Sequence, residues 1–305
     1  MLILPSRRQV LVGAGAAAAG LLGGTGVYAF DIEPLHRLVV TRYAPVLPKW
    51  AGGPRLRIAV LADFHVCEPF MPFDRVAEIV DRANALSPDL ILMLGDYPAG
   101  RVAWRHLPLS DFARLVEGLR APLGVYSIRG NHDFWDDEAV QRAGAGTPQV
   151  RRLLEARGIP VFQNDAIRLE KDGRPFWLAG VGDQEPFEHR WGGVDDLPGT
   201  LAKVTDDAPV LLMAHEPTIF PKVPGRVALT LSGHTHGGQV RLFGRSPAVR
   251  RVKGHDLSYG HCVIDGRHLI VSGGFGVSRV PVRLGVPPEI VLLDLEPPAP
   301  VEVRA

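Results

Sequence analysis

The sequence predicts an α/β fold, because short apolar segments alternate with segments that have helical periodicity. Five continuous apolar runs are typical of strands buried on both faces. They lie at residues 58–62, 90–94, 123–128, 210–214 and 227–231. Beyond residue 237 the pattern changes to strand-like pieces separated by turns. These pieces lie at 239–243, 259–264, 268–272 and 290–295. The alternation predicts one domain in which helices cover a β-sheet.

The composition is that of a globular protein. The 305 residues are 46% hydrophobic and 22% charged, which allows a sizeable core and excludes a disordered or collagen-like chain. The formal net charge of +1 excludes a strongly basic nucleic-acid binder, so we expect no specific nucleic-acid binding. Two cysteines without a Cys-X-X-Cys motif exclude a disulfide scaffold. Cys67 and Cys262 either pair after export or stay as free thiols.

The first thirty residues predict an export signal or a membrane anchor. Arg7 and Arg8 precede an uncharged, glycine- and alanine-rich stretch at 9–30. A basic start before a weakly apolar segment is typical of export signals, and the paired arginines resemble the twin-arginine type. Cleavage after Ala29 would leave a periplasmic protein. Without cleavage, the segment would associate with the membrane and anchor the domain on its outer side.

Three amphipathic helices are predicted between the strands. Apolar side chains at positions 76, 79, 80 and 83 share one helical face, and residues 112–119 repeat that spacing. Ser110 is the candidate N-cap of the second helix. The third begins at Pro148 and stops at Gly158. The predicted division of the chain follows from these elements. It comprises a signal or anchor at 1–30, a connecting segment at 31–54, the domain at 55–295 and a tail at 296–305.

Polar side chains follow each of the five buried runs. In chain order they are Asp63 and His65, then Asp96, then Asn131, His132 and Asp133, then His215, and finally His234 and His236. The carboxyl ends of strands in α/β sheets form the edge at which ligands bind. We therefore expect these side chains to lie close together.

Carboxylate, amide and imidazole groups in one cluster favour transition-metal binding. Two divalent cations about 3.5–4 Å apart can hold the attacking and leaving oxygens of a phosphorus centre, and a carboxylate can bridge them. The mixed ligand set favours Mn, Fe or Zn, with Mg as an alternative. The absence of cysteine disfavours a structural zinc site. We expect two divalent metal ions as cofactors.

The ordered series Asp-X-His, Gly-Asp, Gly-Asn-His-Asp, His and Gly-His-X-His resembles the calcineurin-like metallophosphoesterase superfamily. The resemblance covers residues 55–295. Within it, the segments 233–239 and 281–290 are similar to those of bacterial phosphoesterases that carry an export signal. The resemblance implies a four-layer α/β/β/α sandwich with the metal site at the carboxyl ends of the strands.

The resemblance also implies a role for each motif residue. The first metal site would comprise Asp63, His65, His236 and the bridging Asp96. The second would add Asn131, His215 and His234. His132 would face the substrate without binding metal, and a hydroxide held by the metals would be the nucleophile. Asp133 would orient His132, or would instead cap a helix or form a turn.

The implied activity is hydrolysis of a phosphate ester. We first interpret the cleaved bond as a phosphodiester or pyrophosphate bond, because an envelope location suggests lipid-linked or nucleotide-sugar substrates. The alternatives are a broad-specificity phosphomonoesterase and a metal-bound scaffold, and the complete ligand set argues against the scaffold. Protein Ser/Thr phosphatases of the superfamily have further Asp and Arg residues after Gly-Asp. Tyr97 and Pro98 follow here, which argues against protein phosphatase activity.

Several basic and aromatic residues are weaker candidates for substrate contact. Arg279 and Arg283 flank Pro281 and are predicted to contact phosphate. The basic segment at 241–253 would attract a phosphate-bearing substrate or anionic lipid, or would simply balance surface charge. His189 and Trp191 would form a pocket wall or a solvated loop. The sequence predicts no oligomeric state.

Overall fold

The computed structural model describes residues 7–100, 105–188, 192–249, 252 and 254–298. The sequence-based predictions for a few residues lie outside this part of the chain. They concern His189, Trp191, Arg250, Arg251, Lys253 and the end of the tail.

Thirteen strands occur within the described residues. They are β1 (Val39–Tyr43), β2 (Leu56–Leu61), β3 (Cys67–Glu68), β4 (Leu90–Met93), β5 (Arg105–His106), β6 (Val125–Ser127), β7 (Asp165–Lys171), β8 (Arg174–Gly180), β9 (Val210–Met213), β10 (Val227–Ser232), β11 (Gly260–Ile264), β12 (Arg267–Val271) and β13 (Glu289–Leu295).

Seven α-helices occur in the same residues. They are α1 (Arg7–Val27), α2 (Phe73–Ala85), α3 (Leu109–Val116), α4 (Asn131–Trp135), α5 (Glu138–Ala143), α6 (Gln149–Glu155) and α7 (Leu197–Ala202). A π-helical segment, Tyr28–His36, continues α1, and a 3₁₀ helix spans Pro217–Lys222. In the part of the chain that the structure describes, no helix combines the length and apolarity that a membrane span requires.

The strands form two large sheets and a small ribbon. The first sheet has the order β1-β13-β2-β4-β6, and the second has the order β11-β12-β10-β9-β8-β7. Strands β2, β4 and β6 are parallel to one another, as are β8, β9, β10 and β12. The five strands that precede the polar motifs therefore end at the carboxyl edges of these parallel sets.

Each central strand is apolar throughout because both of its faces are buried. In β2, Ala59 and Leu61 pack against α2, α3 and α6, whereas Ile58 and Val60 pack against the second sheet. This division follows from the two-residue period of a strand. A third cluster joins the outer face of the second sheet to α7 and the helix Pro217–Lys222. The layers are therefore α/β/β/α, which confirms the expected sandwich.

The predicted strands and helices are largely confirmed, with two corrections. Residues 239–243 form turns rather than a strand, because Val240 makes only an isolated bridge to Leu284 and the chain reverses after it. The second amphipathic helix begins at Leu109 after Pro108, so Ser110 lies in its first turn and is not its N-cap.

Five strands lie outside the predicted set, and two of them are the short strands β3 and β5 of the small ribbon. Strand β1 falls within the predicted connecting segment and pairs in parallel with β13, so the first sheet includes part of that segment. Strands β7 and β8 form a hairpin whose turn residues, Asp172 and Gly173, both have positive φ. Cys67 and Cys262 are both free thiols, so the disulfide alternative is not observed.

Candidate metal centre

The site contains residues from both large sheets. Asp63, His65, Asp96 and Asn131 follow strands of the first sheet, and three histidines follow strands of the second. Those histidines are His215, His234 and His236. Because the two sheets pack face to face, the adjacent carboxyl edges bring all seven side chains into one cluster. The structure thus groups every residue predicted to bind metal.

Five of these residues have left-handed backbone conformations. They are Asp63, His65, Asp96, His234 and His236, with φ between 47° and 68°. A non-glycine residue in this region costs about 1–3 kcal/mol, and such residues concentrate at functional sites. The conformation turns each side chain into the cleft directly after its strand ends. The surrounding fold holds this strain, which indicates that the side-chain directions matter.

One group of atoms matches the predicted first metal site. Ligand atoms of Asp63, His65 and His236 all lie within 4.8 Å of one another. The Nε2 atoms of His65 and His236 are 3.0 Å apart, and His236 Nε2 is 4.0 Å from Asp63 Oδ1. All three side chains are buried. Imidazole nitrogens and a carboxylate that converge in this way can bind a cation.

A second group matches the other predicted site. Ligand atoms of Asp96, His215 and His234 lie within 4.8 Å of one another. His234 Nδ1 is 2.8 Å from Asn131 Oδ1, which adds the amide oxygen to the group. His215 Nε2 is buried, and it faces Asp96 Oδ2 at 3.2 Å. Loss of the proton on this nitrogen would free it to bind a metal ion.

Asp96 lies between the two groups. Its Oδ2 atom is 3.6 Å from His65 Nε2 and 3.2 Å from His215 Nε2, while its Oδ1 accepts a 2.8 Å hydrogen bond from the backbone N–H of His132. Burial opposes ionisation of Asp96, but the adjacent His215 and His132 hold the pKa of its carboxyl well below the ordinary value. Asp96 is thus an anionic carboxylate within reach of both ligand sets.

Hydrogen bonds to backbone carbonyls fix two of the imidazoles. Nδ1 of His65 donates to the carbonyl of Pro98 at 2.8 Å, and Nδ1 of His215 donates to that of Leu94 at 2.7 Å. In both rings Nε2 then faces the cluster. Burial lowers the pKa of His65 to about 3 and that of His234 to about 4, so these rings are neutral at neutral pH. Neutral imidazole is the form that binds metal.

Only glycine fits at position 130, because the space between the ligands has no room for a side chain there. A Cβ atom on this glycine would lie 2.3 Å from Asp96 Oδ1 and 2.5 Å from His215 Nε2. The chain can therefore place Asn131 against the cluster only with glycine before it. The donor set, the convergence of His65 and His215 on Asp96 and this close approach together fit divalent metal ions.

His132 lies at the border of the cluster and the cleft. Its ring packs edge-on against that of His65, with centroids 4.9 Å apart, and contacts Trp135 on the other side. Its Nδ1 atom is buried without a hydrogen-bond partner among the described residues. A ring nitrogen of His132 also lies within 4.8 Å of ligand atoms of His65 and Asp96. Its assignment as a non-ligand therefore stays a prediction.

Asp133 fits the second of its two predicted roles. Its carboxylate accepts backbone N–H bonds from Gly130, Asp96 and Tyr97 at 2.8–3.1 Å, and the bond from Gly130 ties the residue before α4 to the first turn of that helix. Within the described residues it makes no hydrogen bond to the His132 ring. Asp133 thereby fixes the backbone of Asp96 rather than the orientation of His132.

The two arginine candidates differ in exposure. Arg279 is exposed and lines the cleft, as a substrate contact requires. Arg283 has 0% exposure, so its predicted contact with phosphate is wrong. Its guanidinium lies 3.3 Å from His236 Nδ1 and donates 2.9 Å bonds to three backbone carbonyls. Those carbonyls belong to Gly273, Gly276 and Val286. Arg283 supports the backbone behind the metal cluster.

Replacing Arg283 with methionine is expected to lower the free energy of unfolding by about 3 kcal/mol or more. Three buried carbonyls lose their donor, and each such loss costs about 1–3 kcal/mol. Urea denaturation of the metal-free protein measures this change. Arg279→Met is the control and should stay within about 0.5 kcal/mol of the original chain, as expected for an exposed side chain. Equal stability of the two variants would contradict the structural role of Arg283.

A cavity of about 470 Å³ opens over the cluster. Metal-site and motif residues form its floor, and its walls add residues that the sequence did not single out. These are chiefly Trp135, Glu185, Thr218, Gln239, Val249 and Val280. Trp135 lies one helical turn after His132, so helical spacing from the Gly-Asn-His-Asp motif could have indicated it. Glu185 carries no sequence signal and reaches the cavity through a loop.

A family comparison agrees with this geometry. Residues 56–238 match the model of the calcineurin-like phosphoesterase family. This range contains all seven residues of the cluster. The match therefore covers both ligand groups and the strands that position them.

Curated relatives extend the similarity along the chain. An uncharacterized metallophosphoesterase of Bacillus subtilis, YkuE, is 32% identical over 95% of this chain and 98% of its own length. A metallophosphoesterase of Aquifex aeolicus is 27% identical over 88% of this chain and 95% of its own length. The phosphodiesterase YaeI of Escherichia coli is 28% identical over 78% and 82%. The chain belongs to the calcineurin-like phosphoesterase family and is a phosphoric ester hydrolase.

Proposed function

We propose that the protein is a dinuclear metallohydrolase that cleaves a phosphodiester or pyrophosphate bond. The position of Asp96 carries the proposal, because one oxygen of a single buried carboxylate faces histidines of both ligand groups. A shared carboxylate is what a pair of divalent ions requires. Mn, Fe or Zn suits the mixed oxygen and nitrogen donors better than Ca or Mg.

The side chains around the cleft have separable tasks. Divalent ions bound by the two groups would supply Lewis acidity and lower the pKa of a water molecule at the site. His132 lies beside the ligands and within the cavity, where its ring can donate a proton to the leaving oxygen or a hydrogen bond to a phosphoryl oxygen. Arg279 offers a positive charge at the cavity wall. Asp133 keeps Asp96 in place through the backbone.

The cavity supports a substrate with an organic group on the phosphate. Its walls include the indole of Trp135 and the apolar side chains of Val249 and Val280, in addition to the polar floor. The name of the relative YaeI, a phosphodiesterase, also favours a diester. We infer that lipid-linked or nucleotide-sugar phosphates are the class to examine first.

A substrate screen tests the proposed activity. The full chain, supplied in turn with Mn, Fe, Zn and Mg, is assayed on a phosphomonoester and a phosphodiester that share one leaving group, and on a nucleotide pyrophosphate. We expect kcat/KM to be highest on the diester or the pyrophosphate. A clear preference for the monoester would replace the proposal with a phosphomonoesterase, and absence of hydrolysis with every metal would leave only the scaffold alternative.

We propose that the N-terminal segment directs export and leaves the domain in the periplasm or anchored on the outer face of the membrane. The two arginines before an uncharged segment support this proposal. Replacing Arg7 and Arg8 with lysine is expected to retain the protein in the cytoplasm, as cell fractionation measures. Unchanged export would contradict twin-arginine targeting, and mass determination of the exported chain separates cleavage near Ala29 from an intact anchor.

A further inference from the structure

We propose that an exposed rim beside the cavity binds the surface of an anionic lipid bilayer. The rim consists of Leu242, Phe243, Arg245, Arg279 and Val280. Docking through the rim would place the cavity at the depth of lipid headgroup phosphates, so this inference deepens the proposed function and rests on it. The rim differs from the metal cluster and from the N-terminal signal in its residues and in its test.

The rim exposes large apolar side chains on a tight hairpin. Phe243 is fully exposed, and Leu242 and Val280 are 52% and 51% exposed. Leu242 and Arg245 exchange two backbone hydrogen bonds of 2.9 and 3.0 Å, and Phe243 and Gly244 have positive φ at the turn between them. The hairpin therefore projects an aromatic ring that no described residue covers. Exposure of such a ring to water is unfavourable, which indicates that the ring contacts an apolar environment when the protein is bound to its partner.

Hydrogen bonds connect the rim to the cavity. Gln239 lines the cavity, and its side chain bonds the carbonyl of Val280 at 2.8 Å and the backbone N–H of Ser278 at 2.6 Å. Leu284 accepts a bond from the backbone N–H of Arg241, at the base of the hairpin. Arg279 and Val280 belong to both the rim and the cavity wall. A surface that contacts the rim thus also borders the cavity mouth.

The charges of the rim favour an anionic surface. Arg245 and Arg279 are exposed, and within the described residues neither pairs with a carboxylate. Each unpaired basic side chain near an anionic membrane adds to the attraction. Phenylalanine and leucine side chains beside arginines are expected at a membrane interface. The apolar side chains enter the boundary between headgroups and acyl chains, and the arginines contact the headgroup phosphates. A purely apolar protein partner would not require the arginines.

The N-terminal segment joins the domain at the same place. The backbone N–H of Arg283 donates a 2.9 Å bond to the carbonyl of Ala29, and that of Val286 donates a 2.7 Å bond to the Glu33 carboxylate. Phe30 and Ile32, between these contacts, are exposed. The loop that carries Arg279 and Val280 therefore also holds the segment that follows α1. A membrane reached through the N-terminus would lie next to the rim.

The control position lies at the other end of the molecule. Strand β13 is antiparallel to β2, and β1 is parallel to β13, so the chain leaves β1 at the end of the sheet opposite the metal cluster. Val46 follows β1 and is 75% exposed. Val46→Ser removes exposed apolar surface without touching the rim.

Vesicle co-sedimentation of the full chain tests the proposal. The probes are phosphatidylcholine vesicles with and without 30% phosphatidylglycerol, a composition chosen as roughly that of an anionic surface. We expect Leu242→Ser/Phe243→Ser to weaken binding to the anionic vesicles about tenfold or more, since two apolar side chains lose their membrane contact. Arg245→Gln should reduce only the part of the binding that depends on phosphatidylglycerol. Val46→Ser should bind like the original chain.

The outcomes separate the rim from the proposed chemistry. The double variant should keep the original rate on a soluble diester, because Leu242 and Phe243 do not line the cavity. Equal vesicle binding by the double variant and the original chain would overturn the proposal and leave the rim to a protein partner. Rim-dependent binding without hydrolysis of any phosphate ester would instead contradict the proposed function and leave the docking surface intact.

Discussion

Asp96→Asn is expected to lose metal and activity together, with a fall in kcat/KM of at least about 10²–10³-fold. Asp96 supplies the carboxylate oxygen that faces His65 and His215. An amide oxygen carries no net charge and cannot bridge two cations well, and bound metal ions lower the activation barrier by several kcal/mol. Elemental analysis after gel filtration and a diester assay measure the two losses on one sample.

A neighbouring carboxylate provides the control for Asp96. Asp136 lies near His132 and accepts a bond from the backbone N–H of Gly100, but it belongs to neither ligand group. Asp136→Asn should keep the metal content of the original chain. If Asp96→Asn kept full metal content and near-full activity, the bridging assignment would be wrong.

His132→Ala is expected to keep the metals and to slow hydrolysis by about 10²–10⁴-fold on a substrate with a poor leaving group. That range is typical of general acid–base catalysis. On an activated ester the leaving oxygen needs less protonation, so the loss should be smaller if His132 is the acid. Equal losses on both substrates would indicate stabilisation of charge on the phosphoryl oxygens instead.

Metal content decides whether His132 is itself a ligand. One of its ring nitrogens lies within reach of His65 and Asp96. Release of a metal ion by His132→Ala would therefore contradict the assignment of this residue to the substrate side. His255→Ala, at an exposed histidine outside both ligand groups, should change neither metal content nor rate.

The central strands could be predicted because burial on both faces leaves a continuous apolar run. Strand β1 gives no such signal, since it lies at the edge of its sheet and most of its residues are only half-buried. The β7–β8 hairpin is hidden by charged residues on its exposed positions. Its Asp172-Gly173 turn is nevertheless a strong local indication of a hairpin.

The metal cluster could be predicted because each ligand follows a strand directly, so the topology alone brings the ligands together. The sequence contains no comparable signal that shows whether a single arginine is exposed or buried. Arg279 and Arg283 both lie close to Pro281 in the sequence. Only Arg283 donates hydrogen bonds to buried backbone carbonyls, those of Gly273 and Val286. The cavity wall also depends on loops, whose paths are not determined by strand periodicity.

The number of metal ions in the active protein tests the central claim most directly. Elemental analysis of the fully active full chain, normalised to protein concentration, should give two transition-metal ions per chain. One ion should be associated with each of the two buried ligand groups around Asp96. Full activity with a single bound ion would contradict the dinuclear account.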